Sequence, residues 1–442
     1  MSQVEEIKSC RLCGSEKLSQ FIHFPAVPLA NCYLDDGLKV PKFDLTVVSC
    51  DECDSHQLKQ TIDPSILFGD FYAYSTPPSL SNHFRDFAGT VIRDLNLNDK
   101  SVIVDIGGNN GLLCSYFKQL SEDVYNIEPS KNIAKESRAK GIYTLDDFLD
   151  EGLFSRMGQR YQTFNLIFSN DKNAVSLSPR KSVDVAISAN VFAHSPKVFE
   201  MMSVVKRILK PGGVFVQENA FWLKTLQNAD LGQIYGEHVF YHHITPLFKV
   251  YEKLGMTLYH VEFNDAQCGS FRIYVKNFPN YPVEQSVKDC MAVENDPLVK
   301  QSYQGLQYAK SNFLDGISRV KKNIIDFLDH RSGKKIGLVG VPAKSALMLS
   351  YFGIADRFWA AYEDASLKVN KQVPGTTILI KPMEELVECD LWVVGAYNFS
   401  DHLINKFRNV AKGEWCVPLP NFAVYDTNSV DPDGEVSVKY VF

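Results

Sequence analysis

Two pairs of cysteines near the amino terminus constrain the fold of this chain more than any other feature. Cys10 and Cys13 form one C-x2-C pair, and Cys50 and Cys53 form a second pair after an insert at positions 14–49. Each pair places two sulfurs on one tight turn, and four thiolates complete the tetrahedral shell that a structural zinc ion requires. Because four protein ligands leave no position for water or substrate, the pattern predicts structural rather than catalytic zinc. The alternative of four incidental buried cysteines stays open at this point.

The composition is that of a globular protein with more than one domain. The chain has 442 residues, of which 45% are hydrophobic, and its 46 Lys+Arg against 52 Asp+Glu give a net charge of −6. Without a basic run, this balance argues against nucleic acid and anionic membranes as partners. No stretch approaches the roughly 20 apolar residues of a membrane span, and the amino-terminal residues lack an apolar signal core. We therefore expect a cytoplasmic protein.

A glycine-rich turn after a buried strand indicates an α/β domain in the middle of the chain. Asp105 ends the predicted strand, and the turn from Gly107 to Gly111 opens a helix. The turn differs from the dinucleotide fingerprint G-x-G-x-x-G in its spacing and in the preceding acid, which suits a cationic cofactor. The next predicted strand ends at Glu128, a carboxylate placed to accept both hydroxyls of a ribose. A purely structural glycine turn is the competing interpretation.

Two later segments carry further candidate residues. His194 follows the strand ending at Asn190, at the sheet edge where open α/β folds bind ligands. Tyr235, Glu237 and His238 lie in a predicted loop before a helix that we expect to begin at Thr245 and Pro246. In each case a structural or solvated role is the alternative.

The carboxyl-terminal third contains a second α/β pattern. A long amphipathic helical stretch at about 298–330 is followed by a strand, a turn and a helix start at positions 335–345. Lys344 lies at this helix start, where a cation and free backbone N–H groups favour phosphate. An ordinary residue near a helix cap would give the same pattern.

Together these features resemble the three-domain S-adenosylmethionine (SAM)-dependent C-methyltransferases of nucleotide-linked deoxysugars, which make branched sugars such as 3-C-methyl hexoses. The resemblance spans nearly the whole chain. Its motifs are the four cysteines, Tyr72-Ala-Tyr74, Asp105-Ile-Gly-Gly-Asn-Asn-Gly111, Ile127-Glu-Pro129, Asn190-Val-Phe-Ala-His194, Tyr235-Gly-Glu-His238, Cys268-Gly-Ser-Phe-Arg272, and in the last third Lys344, Lys368, Val373-Pro-Gly-Thr376 and Tyr397-Asn398.

The resemblance implies an α/β protein with three domains. These are a zinc ribbon-like domain at 1–70, a class I methyltransferase Rossmann-like core at 71–280, and a second Rossmann-like domain at 281–442 that contributes to sugar-nucleotide binding. It implies SAM and structural zinc as cofactors and a nucleotide-diphosphate sugar as substrate, for which a dTDP-linked sugar is favoured and a GDP-linked sugar stays an alternative. We expect a monomer or a weak homo-oligomer.

The resemblance also assigns roles to individual residues. The catalytic set is His238, Tyr235, Glu237, His194 and Tyr74. The SAM-binding set is Asp105, Gly107, Asn109, Gly111, Glu128, Asp147, Phe148 and Asn190. The substrate-binding set is Lys344, Arg272 and Asn398.

Methylation of carbon needs a carbanion, which a base can form beside the ketone of a 4-keto-6-deoxy sugar, here most simply at C3. Unperturbed His and Tyr have pKa values of about 6.5 and 10, so His238 is the easier base and Tyr235 the easier hydrogen-bond donor. Two alternatives stay open: an O- or N-methyltransferase acting on a nucleotide sugar, and a non-catalytic zinc-anchored protein that binds one. The retained Asp105, Gly107, Gly111 and Glu128 argue against the second.

Four departures from the family pattern affect specificity. Asn110 replaces an acid, Gln267-Cys268 replaces His-Gly, and Tyr397 replaces Trp. The segment at 154–182 is longer than the corresponding link in the family. The sequence therefore leaves the sugar and the methylated position open.

Overall fold

The computed structural model describes residues 4–67, 76, 80–153, 183–295, 306–430 and 436–441. Tyr74 and the insertion at 154–182 lie outside these residues. No helix in the described part of the chain is long and apolar enough to cross a membrane.

The amino-terminal part is built of short strands around the cysteine pairs. Its elements are β1 (Val4–Glu6), β2 (Leu18–Pro28), β3 (Lys42–Cys50), β4 (His56–Leu58), β5 (Gln60–Ile62) and α1 (Pro64–Leu67). Strands β2, β3 and β4 form an antiparallel sheet, and β1 pairs with β5.

A strand from the middle of the chain completes this sheet. Strand β11 (Phe240–Tyr241) pairs antiparallel with β4, with Phe240 opposite Gln57 and Tyr241 opposite His56. The sequence predicted a loop over positions 235–243, and that prediction is wrong for these two residues. Two residues are too few to show a strand period, and the partner strand lies far away in sequence.

The central part is a seven-stranded sheet with helices on its faces. Its elements are α2 (Ser81–Asp94), β6 (Ile103–Ile106), α3 (Leu112–Phe117), β7 (Val124–Ile127), α4 (Lys131–Ala139), β8 (Tyr143–Leu145), β9 (Val183–Ala189), α5 (Val198–Ile208), β10 (Leu209–Ala220), α6 (Trp222–Gln227), α7 (Ile244–Lys253), β12 (Thr257–Asn264) and β13 (Ser270–Lys276).

The strand order of this sheet is β12-β13-β10-β9-β6-β7-β8, and β13 runs antiparallel to both of its neighbours. This is the order of the class I methyltransferase core, so the predicted fold class is confirmed. The order reverses between β6 and β9, and ligands of open α/β sheets bind outside the carboxyl ends of the strands at such a reversal.

The last part is a second α/β unit. Its elements are α8 (Gln285–Asn295), α9 (Leu306–Asp329), β14 (Ile336–Val339), α10 (Ala343–Phe352), β15 (Ala360–Glu363), β16 (Ile380–Pro382), β17 (Leu391–Val394), α11 (Ser400–Phe407), β18 (Glu414–Val417), β19 (Ala423–Val430) and β20 (Val436–Val441). Strands β14 to β18 are parallel in the order β16-β15-β14-β17-β18, which is Rossmann-like, and β19 and β20 extend the sheet antiparallel. The domain boundaries near 70 and 280 stay predictions.

The three parts share buried contacts. Phe21 of β2 stacks on Phe313 of α9 with ring centroids 5.7 Å apart, and its edge meets Trp222 of α6 at 6.3 Å. The Tyr33 hydroxyl donates a hydrogen bond of 2.6 Å to the carbonyl of Val341, just after β14. These contacts connect the amino-terminal part to both of the other parts.

The amino end of α7 is capped differently from our expectation. The helix begins at Ile244, and the backbone N–H groups of Ile244 and Thr245 each donate a 2.7 Å hydrogen bond to the Glu294 carboxylate of α8. A carboxylate satisfies free N–H groups and interacts favourably with the helix dipole, so it replaces the expected Thr245 side chain. Sequence patterns miss this cap because it comes from a distant helix.

Candidate functional site

The four amino-terminal cysteines form one compact cluster. All four sulfurs lie within 4.8 Å of one another, with Cys10 Sγ 3.8 Å from Cys53 Sγ and Cys13 Sγ 3.6 Å from Cys50 Sγ. Zinc–sulfur bonds of about 2.3 Å in a regular tetrahedron give sulfur–sulfur edges of about 3.8 Å. The cluster therefore has the size of a four-sulfur zinc site.

The two cysteine turns repeat the same local geometry. The N–H of Gly14 donates to the carbonyl of Cys10 at 2.9 Å, and the N–H of Asp54 donates to that of Cys50 at 2.8 Å. Gly14 and Asp54 both have left-handed backbones, with φ of 83° and 61°. The Cys53 thiol hydrogen-bonded to Cys10 lowers the pKa of Cys10 to about 4, so this sulfur is readily a thiolate. The donor set and its geometry fit structural zinc.

The glycine turn after β6 is tightly packed beneath two polar side chains. Gly107 and Gly111 have left-handed φ values of 68° and 74°. A Cβ on Gly108 would lie only 2.6 Å from side-chain oxygens of both Asp105 and Asn126. The turn therefore needs glycine where the backbone passes these oxygens.

Two buried carboxylates flank this turn. Glu128 accepts hydrogen bonds from the backbone N–H groups of Asn109 at 3.1 Å and Ser130 at 2.8 Å, one on each oxygen. Each oxygen keeps a second lone pair for a ribose hydroxyl. Burial raises the pKa of Asp105 to about 7, and a bound cation would favour its ionised form. The residues present fit SAM, which carries a ribose and a sulfonium.

The other predicted SAM residues surround the same edge. Thr76 donates from its backbone N–H and its hydroxyl to the Asn109 side chain, at 2.8 and 3.0 Å. Phe148, 46% exposed, follows β8 beside Asp147. Asn190 follows β9 with φ of 58°. All of these side chains lie at carboxyl ends of neighbouring strands, although their role in SAM binding stays a prediction.

Tyr235 and His238 form a hydrogen-bonded pair. The Nδ1 of His238 lies 2.9 Å from the carbonyl of Gln233, and its Nε2 lies 2.7 Å from the Tyr235 hydroxyl. A carbonyl only accepts, so Nδ1 carries the proton and Nε2 accepts from Tyr235. Burial and the nearby His194 lower the pKa of His238 well below its ordinary value. The imidazole is therefore neutral, with its Nε2 lone pair directed at Tyr235.

His194 lies beside this pair. Its ring centroid is 4.8 Å from that of His238, and its Nδ1 lies 3.1 Å from the carbonyl of Glu237. Burial lowers the pKa of His194 to about 4, so this ring is neutral as well. Two neutral imidazoles thus meet edge to face, with 66° between their ring planes.

Glu237 is buried between the central and amino-terminal parts. Its Oε1 accepts a 3.0 Å hydrogen bond from Asn31, while its Oε2 has no hydrogen-bond partner in the described part of the chain. Burial raises the pKa of Glu237 to about 7. This carboxyl group can therefore exchange its proton near neutral pH, or take up a partner from a ligand.

The predicted substrate residues fall into two groups. Lys344 is 6% exposed, and its Nζ has no hydrogen-bond partner among the described residues, although it lies 4.2 Å from the Tyr397 ring centroid. The Oδ1 of Asn398 is likewise buried without a hydrogen-bond partner in the described ranges. Arg272 lies apart from them: its guanidinium donates to Glu262 at 2.6 Å and to Glu218 at 2.8 Å. Its predicted contact with substrate remains untested.

A small cavity of about 20 Å³ adjoins His238 on the side of α6, with Trp222, Gln233 and His242 among its walls. The indole N–H of Trp222 and both ring nitrogens of His242 are buried without hydrogen-bond partners in the described part of the chain. A volume of this size holds about one water, which such groups can bind.

Sequence analysis missed two groups of the site. The Asn31 amide comes from the amino-terminal part, and the Gln233 acceptor is a backbone carbonyl. A backbone carbonyl has no sequence signature, and Asn31 lies in no motif, so neither could be found from spacing.

The order of domain families along the chain decides its identity. Residues 10–68 match a family model described as a putative zinc binding domain, residues 81–261 one described as a methyltransferase domain, and residues 265–420 one described as a C-methyltransferase C-terminal domain. The chain is a three-domain SAM-dependent C-methyltransferase. Its cofactors are SAM and structural zinc, as the two sites indicate.

Individual proteins are similar to this C-methyltransferase. A relative from Streptomyces niveus, C-methyltransferase NovU, is 24% identical over 440 residues, covering 96% of this chain and 99% of its own. The magnesium protoporphyrin IX methyltransferase of Synechocystis PCC 6803 with bound SAM aligns over 44% of this chain and 78% of its own, at 13% identity and a TM-score of 0.31. A SAM-dependent methyltransferase of Mesorhizobium loti aligns over 42% and 96%, at 16% identity and a TM-score of 0.31.

Proposed function

We propose that this enzyme methylates a carbon beside the ketone of a nucleotide-linked 4-keto-6-deoxy sugar, at C3. The observation that carries the proposal is the Tyr235–His238 pair, which offers a neutral imidazole and a hydroxyl donor within 2.7 Å of each other. An enolate needs both: a base for the carbon-bound proton and a donor for the oxygen. The similarity to NovU, named a C-methyltransferase, supports methylation of carbon.

His238 is the base in this proposal. The Tyr235 hydroxyl turns from His238 Nε2 to the ketone oxygen, which frees the Nε2 lone pair for the proton on C3. The electron pair of the C3–H bond then forms the enolate, with its oxygen held by Tyr235. Neutral His194 and the buried Glu237 carboxyl complete the walls of this site.

Carbon–carbon bond formation completes the reaction. When bound beside Asp105 and Glu128, SAM would supply the electrophilic methyl group, with the electron pair of the S–C bond staying on its sulfur. The enolate C3 forms the new bond, the ketone returns, and His238 releases its proton to solvent. Glu237 is buried and His194 and His238 are partly buried, which limits competing water at the reacting atoms.

The nucleotide diphosphate is held at the start of α10 in this proposal. Lys344 offers a buried ammonium without a hydrogen-bond partner in the described ranges, and the amino end of a helix favours phosphate. On the other side of the β14–α10 turn, Lys368 pairs with Glu363 at 3.1 Å. The Lys344 charge suits the diphosphate, for which we favour a dTDP-linked over a GDP-linked sugar.

The test combines labelled SAM with a panel of 4-keto-6-deoxy nucleotide sugars, followed by location of the methyl group in the product. We expect the label on carbon. A methyl group found on oxygen or nitrogen would contradict the proposal.

Exchange of the C3 hydrogen of the substrate with solvent distinguishes the role of His238 from that of Tyr235. With substrate and demethylated cofactor but no methyl donor, the wild-type enzyme should exchange the C3 hydrogen with deuterated water. We expect His238→Ala to abolish exchange, Tyr235→Phe to weaken it and His194→Ala to retain it, with loss of the base costing about 10²–10⁴-fold in rate. Unchanged exchange in His238→Ala would assign the base elsewhere.

A further inference from the structure

The tautomer of neutral His238 depends on one backbone carbonyl, that of Gln233. Only while Nδ1–H donates to Gln233, at 2.9 Å, does Nε2 remain the acceptor nitrogen that faces Tyr235. The two neutral tautomers of imidazole are close in energy in water, so a fixed acceptor selects between them. The position of the Gln233 carbonyl is therefore a condition for a base at Nε2.

Asp230 organises the short turn that presents this carbonyl. The turn spans Leu231–Gln233, and the Asp230 carboxylate accepts from the N–H of Gly232 at 3.1 Å and from Nε2 of Gln233 at 3.3 Å. Asp230 is 1% exposed. A buried carboxylate that bonds both the backbone and the side chain of the turn restricts the direction of the Gln233 carbonyl.

The second anchor of Asp230 comes from the carboxyl-terminal unit. The hydroxyl of Tyr397 donates a short hydrogen bond to Oδ1 of Asp230. Gly232 makes room for this approach, since a Cβ there would lie 2.1 Å from the Tyr397 hydroxyl and 2.7 Å from Cβ of Lys344. Tyr397 thus lies between Asp230 and the ammonium of Lys344, 4.2 Å above its ring.

We propose that Asp230 and Tyr397 form an interdomain latch that positions His238 for catalysis by holding the Gln233 carbonyl and, through it, the Nδ1–H tautomer. This proposal rests on the proposed role of His238 as base. Both are positioning residues, because neither reaches the reacting atoms except through Gln233 and His238. The latch links the turn before Tyr235 to the unit that carries Lys344, so the position of that unit bears on the tautomer of His238.

Nitrogen NMR of the resting protein tests the latch without substrate. In protein labelled with ¹⁵N-histidine, long-range ¹H–¹⁵N correlations report the tautomer of His238, assigned by its loss in His238→Gln. We expect wild type to show the Nδ1–H tautomer, and Tyr397→Phe and Asp230→Ala to show a mixture. Tyr362→Phe is the matched control, since Tyr362 is a buried tyrosine of the same unit that contacts Cys389 instead.

Kinetics provide the second readout. We expect Tyr397→Phe to lower kcat by about 10-fold, equivalent to about 1.4 kcal/mol, with SAM affinity unchanged. Thermal melting shows whether each variant folds. If Asp230→Ala fails to fold, Tyr397→Phe alone tests the latch. A wild-type tautomer and wild-type kcat in folded Tyr397→Phe would overturn the latch. If Tyr397→Phe shifts the tautomer of His238 but wild type methylates no nucleotide sugar, the latch stands and the proposed function is rejected.

Discussion

Burial sets the charge of each proposed catalytic side chain. It lowers the pKa of His194 to about 4 and that of His238 well below its ordinary value, and it raises the pKa of Glu237 to about 7. Each shift favours the neutral form because the charged form loses hydration. The imidazoles of His194 and His238 are therefore unprotonated at rest, as a base that takes a proton from carbon must be.

Glu128 provides the sharpest test of the SAM site. Glu128→Ala removes the ribose acceptor and the contact that holds the N–H of Asn109 in the glycine turn. Since hydrogen bonds to a charged group are worth about 1.5–3 kcal/mol each, SAM affinity should fall by about one to three orders of magnitude. Calorimetry measures the affinity, and Glu122→Ala is the control because Glu122 is an exposed carboxylate whose salt bridge is to Lys118. Unchanged affinity would remove Glu128 from the site.

Lys344 provides the matching test for the diphosphate. Lys344→Met keeps the length of the side chain and removes the charge, so KM for the sugar nucleotide should rise by about 10–100-fold through loss of a buried charged contact. SAM affinity should stay as in wild type. Lys406→Met is the control, because Lys406 forms an exposed pair with Asp364. Equal KM values in the two variants would place the diphosphate elsewhere.

At the level of elements, the amino-terminal sheet of β2, β3 and β4 is hydrogen-bonded to the strand that follows the loop from Tyr235 to His238. Strand β11 begins two residues after His238 and pairs with β4, which directly follows the Cys50–Cys53 turn. The register of β11 on β4 sets where the loop from Tyr235 to His238 leaves the sheet. Strand pairing therefore connects the cysteine cluster to the loop that carries the proposed catalytic residues.

Removal of one zinc ligand should affect the whole sheet. We expect Cys50→Ser to lose zinc and soluble protein, because structural zinc contributes directly to folding. Metal analysis should find one zinc per wild-type chain. Cys389→Ser should keep both, since Cys389 is buried in the carboxyl-terminal unit away from the cluster. Active wild type without zinc would contradict the assignment.

At the level of the molecule, His243 joins all three parts. Its Nε2 donates to the carbonyl of Asp54 at 2.9 Å, and its Nδ1 to Glu294 of α8 at 3.3 Å. Both partners are acceptors, so both nitrogens carry protons and the ring is charged. Burial alone would lower the pKa of His243, but Glu294 and Asp54 raise it above its ordinary value. The ring of His56 lies 5.7 Å from that of His243, and Lys310 pairs with Asp54 at 3.1 Å.

This buried pair predicts a pH dependence of stability. A raised pKa of His243 adds stability below about pH 6.5 that is lost as pH rises through the folded value. The pKa of Glu294 is lowered, because the attraction of His243 outweighs the effect of burial. Glu294 therefore adds stability that is lost as pH falls below about 4.5.

The free energy of unfolding of wild type minus that of His243→Gln should therefore be larger at pH 6 than at pH 9, reaching about 3–5 kcal/mol as for other broken buried pairs. Denaturant titrations measure it. His260→Gln is the control because His260 forms a more exposed pair with Glu284, and it should change stability little. A difference independent of pH would show that His243 is uncharged in the fold.

The sequence by itself determined the features whose chemistry is local. The cysteine spacing predicted the sulfur cluster, and the glycine turns with their flanking apolar runs predicted both α/β sheets, because turns and strands depend on residues a few positions apart. The Tyr235–His238 pair also lay within one short motif.

Tertiary structure alone decided how distant residues meet. Glu294 caps α7, β11 joins the zinc sheet, and the Tyr397 hydroxyl reaches Asp230, in each case across 50 or more residues. Such contacts depend on packing of buried surfaces, and a backbone carbonyl such as that of Gln233 has no residue-type signal. Chain geometry, rather than residue pattern, therefore selects the tautomer of His238 and the partners of its loop.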